Sequence, residues 1–246
     1  MARTINRVEH AARRDAILDA AQRLVLSKGY ERLTVQDLLD DLQISKGAFY
    51  HYFNSKPAVI ESLSERLVSD ATQALVPIAQ DPAPGAQDKL KRFFDEIVRW
   101  KAARQNLFVT MLPVWYAPDN IAFRLRVQRA VAKQLAPLLT AIVRRGVDEQ
   151  QFVNADPEHA GAIVVALIQA LQDSIADQLI AVAYRLPDAP RTKEIVATYA
   201  AHIEAIERYL GVATSVLYRA DSRTVNSWIN AIRRTNTTVT EGRDEG

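Results

Sequence analysis

Apolar residues recur at spacings of three and four along nearly the whole 246-residue chain, and no segment holds the two-residue alternation of a half-buried strand. That rhythm restricts the chain to an all-α fold. Over residues 9–28, Ala16, Ile17, Ala20, Ala21, Leu24 and Val25 make one stripe, which Gly29 stops. Val35, Leu38, Leu39 and Leu42 make the next behind an N-cap at Thr34, and Ser45 caps a third helix that turns Phe49 and Phe53 inward until Asn54 and Ser55 break it. A fourth begins at Ser55, tolerates Pro57 in its first turn, and carries Val59, Ile60, Leu63 and Leu67 toward Pro77. After the loop QDPAPG at 80–85, helical patterns cover 90–104, 107–115, 120–145, 157–184 and 192–210, with Pro113 and Pro137 expected to end or kink two of them. Val225, Trp228, Ile229 and Ile232 add a tenth helix after a cap at Asp221 or Ser222, and residues 235–246 read as a frayed polar tail.

Composition removes several function classes. The chain has no cysteine, so disulfides, thiolate zinc sites and cysteine nucleophiles are excluded. Its four histidines, His10, His51, His159 and His202, show no ligand-pair spacing on one helix, and no phosphate loop, nucleophile elbow or paired-carboxylate motif is present. An enzyme or carrier built on the helical bundle therefore lacks its chemistry, and neither a metal nor a cofactor is expected. The apolar run at 160–168 is far shorter than the roughly 20 residues that span a bilayer, and MARTINRVEH has no apolar segment behind it, which points to a cytoplasmic product. The net charge is only +2, but Arg3, Arg7, Arg13 and Arg14 stand against Glu9 alone in the first 14 residues. This basic arm can follow phosphates or enter a minor groove, or it can be a solvated terminus.

Residues 34–53 have the parts of a helix-turn-helix: a support helix, a tight turn, and a second helix with small or polar side chains on its outer face. The hydroxyl of Thr34 and the amides opened by Ser45, Lys46 and Gly47 can meet phosphates. Gly47 and Ala48 keep bulk away from DNA, Tyr50 and Tyr52 carry phenolic donors, His51 can bond a base edge or a phosphate, and Lys56 adds charge. A trihelical unit with an aromatic core accounts for Phe49 and Phe53 but not for the shared direction of Ser45, Lys46, Tyr50, His51 and Tyr52. The stretch TVQDLLDDLQISKGAFYHYFNSKPAVIESL resembles the amino-terminal signature of TetR family transcriptional regulators. The resemblance implies that Thr34, Ser45, Lys46, Gly47, Ala48, Tyr50, His51, Tyr52 and Lys56 lie at or near DNA. Gln43 stands where many members of that family have glycine, a cost of about 1 kcal/mol if the backbone there is left-handed. Pro57 replaces a frequent acidic residue.

The expected organisation is a helix-turn-helix domain at 1–54, a helical-bundle ligand-binding and dimerisation domain at 55–213, and a carboxy-terminal extension at 214–246. Ile163, Leu167 and Ala170 form one apolar strip beside another made by Val164, Ile168, Leu171, Ile175, Leu179 and Val182, more than one intrachain contact needs. Ile195, Tyr199, Ile203, Ile206 and Leu210 stripe the following helix, and the two segments in 157–210 suit a homodimer reading two half-sites. Most of the mid-chain aromatics, Phe93 and Phe94 among them, are expected in the core. Trp100, Phe108, Met111, Trp115, Tyr116 and Phe123, with Gln128, Gln169, Gln172 and Asp173, are the candidates for a pocket taking a lipophilic or aromatic effector. The function expected is a sequence-specific repressor released from its DNA operator by that effector.

Overall fold

A computed structural model of the chain describes residues 2–153 and 156–241, with side chains described for 9–153 and 156–235. The described residues form ten α-helices and no strand: α1 Ala2–Lys28, α2 Val35–Leu42, α3 Lys46–Tyr50, α4 Lys56–Gln80, α5 Ala86–Ala102, α6 Gln105–Trp115, α7 Ile121–Asp148, α8 Pro157–Ala183, α9 Thr192–Leu210 and α10 Ser222–Glu241. A single 3-10 turn, Pro118–Asn120, leads into α7.

The basic arm is the first part of α1, which is helical from Ala2; the side chains of Arg3 and Arg7 lie outside the described residues. Pro113 and Pro137 do not end their helices, and neither does Pro77. Each lies on an exposed face, where the backbone bond lost to proline can be replaced by water. The tail is not frayed from residue 235: Thr235 Oγ1 donates to the carbonyl of Ala231 at 3.1 Å, and α10 runs on to Glu241, while 242–246 lie outside the described residues.

One core belongs to the amino-terminal helices. Ile17, Leu18, Ala21 and Val25 of α1 close on Leu38 of α2, Phe49 of α3, and Val59, Ile60 and Leu63 of α4. Three residues of α6 join it: Leu107, Met111 and Val114, spaced as one helical face. The opposite face of α6 carries Val109 and Leu112 into a second cluster with Leu179 and Val182 of α8, Ile195 of α9, and Val225, Ile229 and Ile232 of α10. Thus α6 is shared by the head and the body, and α10 packs against α6, α8 and α9. Asp221 caps α10, accepting from the amide of Thr224 at 2.7 Å.

The body centres on α7 and α8. By length and composition α8 is long and apolar enough to cross a membrane, which the run at 160–168 alone understates. A core position accounts for its inner face, because Ala160, Val164, Val165, Ile168 and Leu171 are buried with Leu139, Ile142 and Val143 of α7. Gly161 lets the two helices meet closely: a β-carbon there would come within 2.0 Å of the Ala136 carbonyl oxygen. Behind α9, Glu207 is fully buried and accepts from the amides of Ser215 and Leu217 and from both terminal nitrogens of Arg219, tying the α9–α10 connection down.

Candidate nucleic-acid interface

The turn between α2 and α3 is held from both ends. Thr34 accepts from the amide of Asp37 at 3.2 Å, while its own amide and hydroxyl donate to Asp37 Oδ2, each at 2.7 Å. This is a complete capping box, so the Thr34 hydroxyl is engaged within the chain. Lys28 reaches the other carboxylate oxygen at 2.5 Å. The bonds from Lys28 and then Thr34 hold the Asp37 carboxyl down at about 2. At the far end Gln43 is left-handed, with φ 52° and ψ 44°, and its side-chain amide donates to the Asp40 carbonyl at 2.6 Å. The amide of Ile44 closes on the Leu39 carbonyl, and the next helix starts two residues later.

Ser45 caps α3 by accepting from the amide of Ala48 at 3.2 Å. The regular helix is short, but helical bonding continues from the amides of His51 to Gly47 and of Phe53 to Phe49. Phe49 and Phe53 are buried as expected. The other face is open: Ser45, Lys46, Gly47, Ala48, Tyr50 and His51 are all exposed, and Tyr52 is half-buried. Among the described residues Lys46 has no hydrogen-bond or ion-pair partner, and the Tyr50 hydroxyl has none either. A β-carbon at Gly47 would meet only Ser45 Oγ, at 4.0 Å, and its backbone is not left-handed. Nothing inside the chain therefore requires glycine at this position.

Lys56 is placed differently from the α3 residues. Its Nζ donates to the Tyr30 carbonyl at 3.1 Å and sits 4.2 Å from the Tyr30 ring centroid, clamping the α1–α2 connection to α4. Two neighbours of the reading face come from α1. His10 packs its ring 4.6 Å from that of Tyr52 and 5.5 Å from that of His51. Arg14 donates to Ser62 Oγ at 2.6 Å and lies 5.0 Å from the Phe53 ring, so it braces α1 against α3 and α4. No local spacing could reveal these contacts, since the partners are about 40 residues apart or more. Arg13 is exposed without a described partner.

The candidate effector residues separate into groups. Tyr116 donates to Asp173 Oδ1 at 2.7 Å, Gln128 Nε2 donates to both oxygens of Asp173 at 3.4 and 3.3 Å, and Gln169 donates to the Gln128 carbonyl at 2.8 Å. Burial first, and then the Asp173 carboxylate, push the Tyr116 hydroxyl far up, so it stays a donor. Trp115 and Phe123 pack edge to face at 5.4 Å beside this cluster, and Trp100 and Phe108 do so at 5.8 Å. Met111 belongs to the head core, and Gln172 is exposed.

Residues 17–63 match the family profile described as bacterial regulatory proteins, tetR family. Residues 17–63 thus resemble the amino-terminal domain of the TetR family. The transcriptional regulator EthR of Mycobacterium tuberculosis is 36% identical over 77 residues, which are 31% of this chain and 36% of EthR. The transcriptional repressor NemR of Escherichia coli is 28% identical over 83 residues, 34% of this chain and 42% of NemR. These alignments thus span well under half the length of either relative. SmeT, the repressor of the Stenotrophomonas maltophilia multidrug efflux pump SmeDEF, shares the fold across 85% of this chain and 95% of its own, with a TM-score of 0.55 at 18% identity. The relatives matched over part of the chain are named as transcriptional regulators. The all-α reading, with a helix-turn-helix head before a helical body, holds.

Proposed function

We propose that the chain is a dimeric repressor that binds operator DNA through α3 and releases it when a lipophilic or aromatic effector binds the body. The observation that carries the DNA-binding reading is the open face of α3, where Lys46 and the Tyr50 hydroxyl have no polar partner among the described residues and no described neighbour requires Gly47 to be glycine. Ser45, Lys46, Gly47, Ala48, Tyr50, His51 and Tyr52 form the contact, with Thr34 and Lys56 at its border. Direct bonding of Lys46 and Tyr50 to phosphates gives affinity, while His51 is the residue best able to read a base edge. The setting is the cytoplasm, where DNA is accessible.

Dimerisation is supported by the outward face of α8. The strip of Val164, Ile168, Leu171, Leu179 and Val182 is buried within the chain, whereas Ala162, Ile163, Ala166 and Ala170 are exposed. On α9, the exposed Ala197, Ala201 and Ala205 follow one another at four-residue steps, leaving a smooth face for close helix packing. A four-helix contact between two copies would set two heads a whole number of DNA turns apart, roughly 34 to 36 Å per turn. The effector reading is supported by the Tyr116, Gln128, Gln169 and Asp173 cluster beside Trp115 and Phe123 at the end of α6, the helix that also enters the head core. A ligand that shifts α6 has a packed route to the head.

A mobility-shift assay on DNA flanking the chain's own gene tests the first step, and sequence-selective binding that weakens steeply with salt is expected. Binding that ignores sequence overturns the operator reading. A thermal-shift screen of lipophilic and aromatic compounds tests the second: binders should loosen operator binding, and by linkage operator should weaken their binding equally. Binders that leave the operator complex unchanged overturn the release step.

A further inference from the structure

Across the 3-10 turn Pro118–Asn120, the end of α6 and the first turn of α7 are joined by two neighbouring contacts. Trp115 packs on Phe123, and one residue further along both segments the Arg124 guanidinium lies over the Tyr116 ring, its carbon 4.7 Å from the centroid. The ring is itself fixed, since the Tyr116 hydroxyl donates to Asp173 Oδ1 at 2.7 Å. Among the described residues the Arg124 Nε is buried with no hydrogen-bond partner. Its guanidinium forms no ion pair there either, whereas Arg126 donates to Glu61 Oε1 at 2.7 Å. The ring-face contact leaves this lack in place, because a buried N–H needs an acceptor and a π face supplies only a weak one. Of the acidic groups near this end of the body, Asp173 is taken up by the neutral donors Tyr116 and Gln128, and Asp119 and Asp177 are exposed. Trp115, Tyr116, Phe123 and Arg124 are all half-buried, so the group can be reached from outside.

We propose that this cluster binds an aromatic carboxylate, with the charged group on the Arg124 guanidinium and the ring against Trp115 and Phe123. The inference rests on the reading of the end of α6 as the effector site, and it names the chemical class of the ligand and the residue that selects it. A carboxylate supplies the acceptor that Nε lacks, and a guanidinium meets it with two parallel donors. The donor is held in place before the ligand arrives, because Tyr116 carries the guanidinium and Asp173 holds Tyr116, so little side-chain freedom is lost on binding. A cationic ligand on Asp173 fits less well. That carboxylate already accepts from Tyr116 and Gln128, and Arg124 beside the same ring would repel the incoming charge.

Calorimetric titration of the full chain with benzoate, and with benzamide as the same ring without the charge, tests the assignment. Benzoate is expected to bind about tenfold or more tightly than benzamide, and Arg124→Gln should raise the benzoate Kd about tenfold while leaving that of benzamide unchanged. The comparison of the two probes on the parent chain needs no variant, and melting of Arg124→Gln reports whether its fold is kept. Equal binding of the two probes, no heat from benzoate, or an unchanged benzoate Kd in a folded Arg124→Gln would overturn the assignment. An uncharged aromatic compound that releases operator DNA while benzoate fails to bind would overturn it too, and would leave the effector reading standing. Benzoate binding that depends on Arg124 but leaves the operator complex unchanged would support the site and count instead against the release step.

Discussion

Gly47 and Gly161 both lie on helices, and a β-carbon added to each meets opposite surroundings. At Gly161 it would fall 2.0 Å from the Ala136 carbonyl oxygen and 2.4 Å from Thr140 Oγ1, inside the α7–α8 contact. At Gly47 it would touch only Ser45 Oγ at 4.0 Å. The body uses its small residue to bring its own helices together, whereas the head leaves space that nothing in the chain fills. Polar side chains divide in the same way. Tyr116, Gln128, Gln169 and Asp173 in the body satisfy one another, while Lys46 and the Tyr50 hydroxyl on α3 have no polar partner among the described residues. Groups that an unaided fold leaves unmatched are the ones available to a partner.

The comparison breaks most easily in the body. Gly161→Ala should force α7 and α8 apart and cost about 3 kcal/mol, read as a lowered urea midpoint; an unchanged midpoint would mean that the close approach carries no packing energy. Glu207→Gln removes the charge from a buried pair with Arg219 and should cost about 2 kcal/mol at neutral pH. Burial raises the Glu207 carboxyl, but the bonds from Arg219, Leu217 and Ser215 outweigh it and hold the group below the usual carboxylate range. Because the folded value is the lower one, this stabilisation is complete above the ordinary glutamate pKa and fades as pH falls through the folded value. The difference between parent and Glu207→Gln should accordingly shrink in acid, and a constant difference would contradict the pairing.

In the head the same kind of change should act on binding rather than folding. Gly47→Ala should stabilise α3 by up to about 1 kcal/mol while reducing operator affinity about tenfold, measured by melting and by mobility shift. A variant that binds as before would show that the space at Gly47 is not used. Gln43→Gly should give the smallest effect, a gain of about 0.5 kcal/mol in stability with operator affinity unchanged, because the left-handed strain is relieved but the bond to Asp40 is lost.

Much of the head was legible because its signals are local. Thr34 with Asp37, Ser45 with Ala48, and the inward pair Phe49 and Phe53 all lie within four residues of one another, where cap chemistry and helical period decide. The left-handed turn at Gln43 was open to the same reasoning. What sequence spacing could not reveal joins distant segments. The bond from Tyr116 to Asp173 crosses 57 residues, Arg14 reaches Ser62 across 48, and Leu107, Met111 and Val114 of α6 enter the core of the amino-terminal helices. The cap at Thr34 was legible from Asp37 three residues on, and the same hydroxyl that can hold a phosphate closes the capping box. The first turns of α4, beyond the expected boundary at residue 54, also belong to the head core, because Val59, Ile60 and Leu63 have their apolar partners there.

The central claim, that the outward face of α3 meets DNA, is tested most directly by the salt dependence of operator binding in the parent and in Lys46→Ala. The account predicts weaker binding for the variant, a slope of log affinity against log salt that is shallower by about 1, and unchanged melting. Equal affinity and equal slope in the two proteins would contradict it.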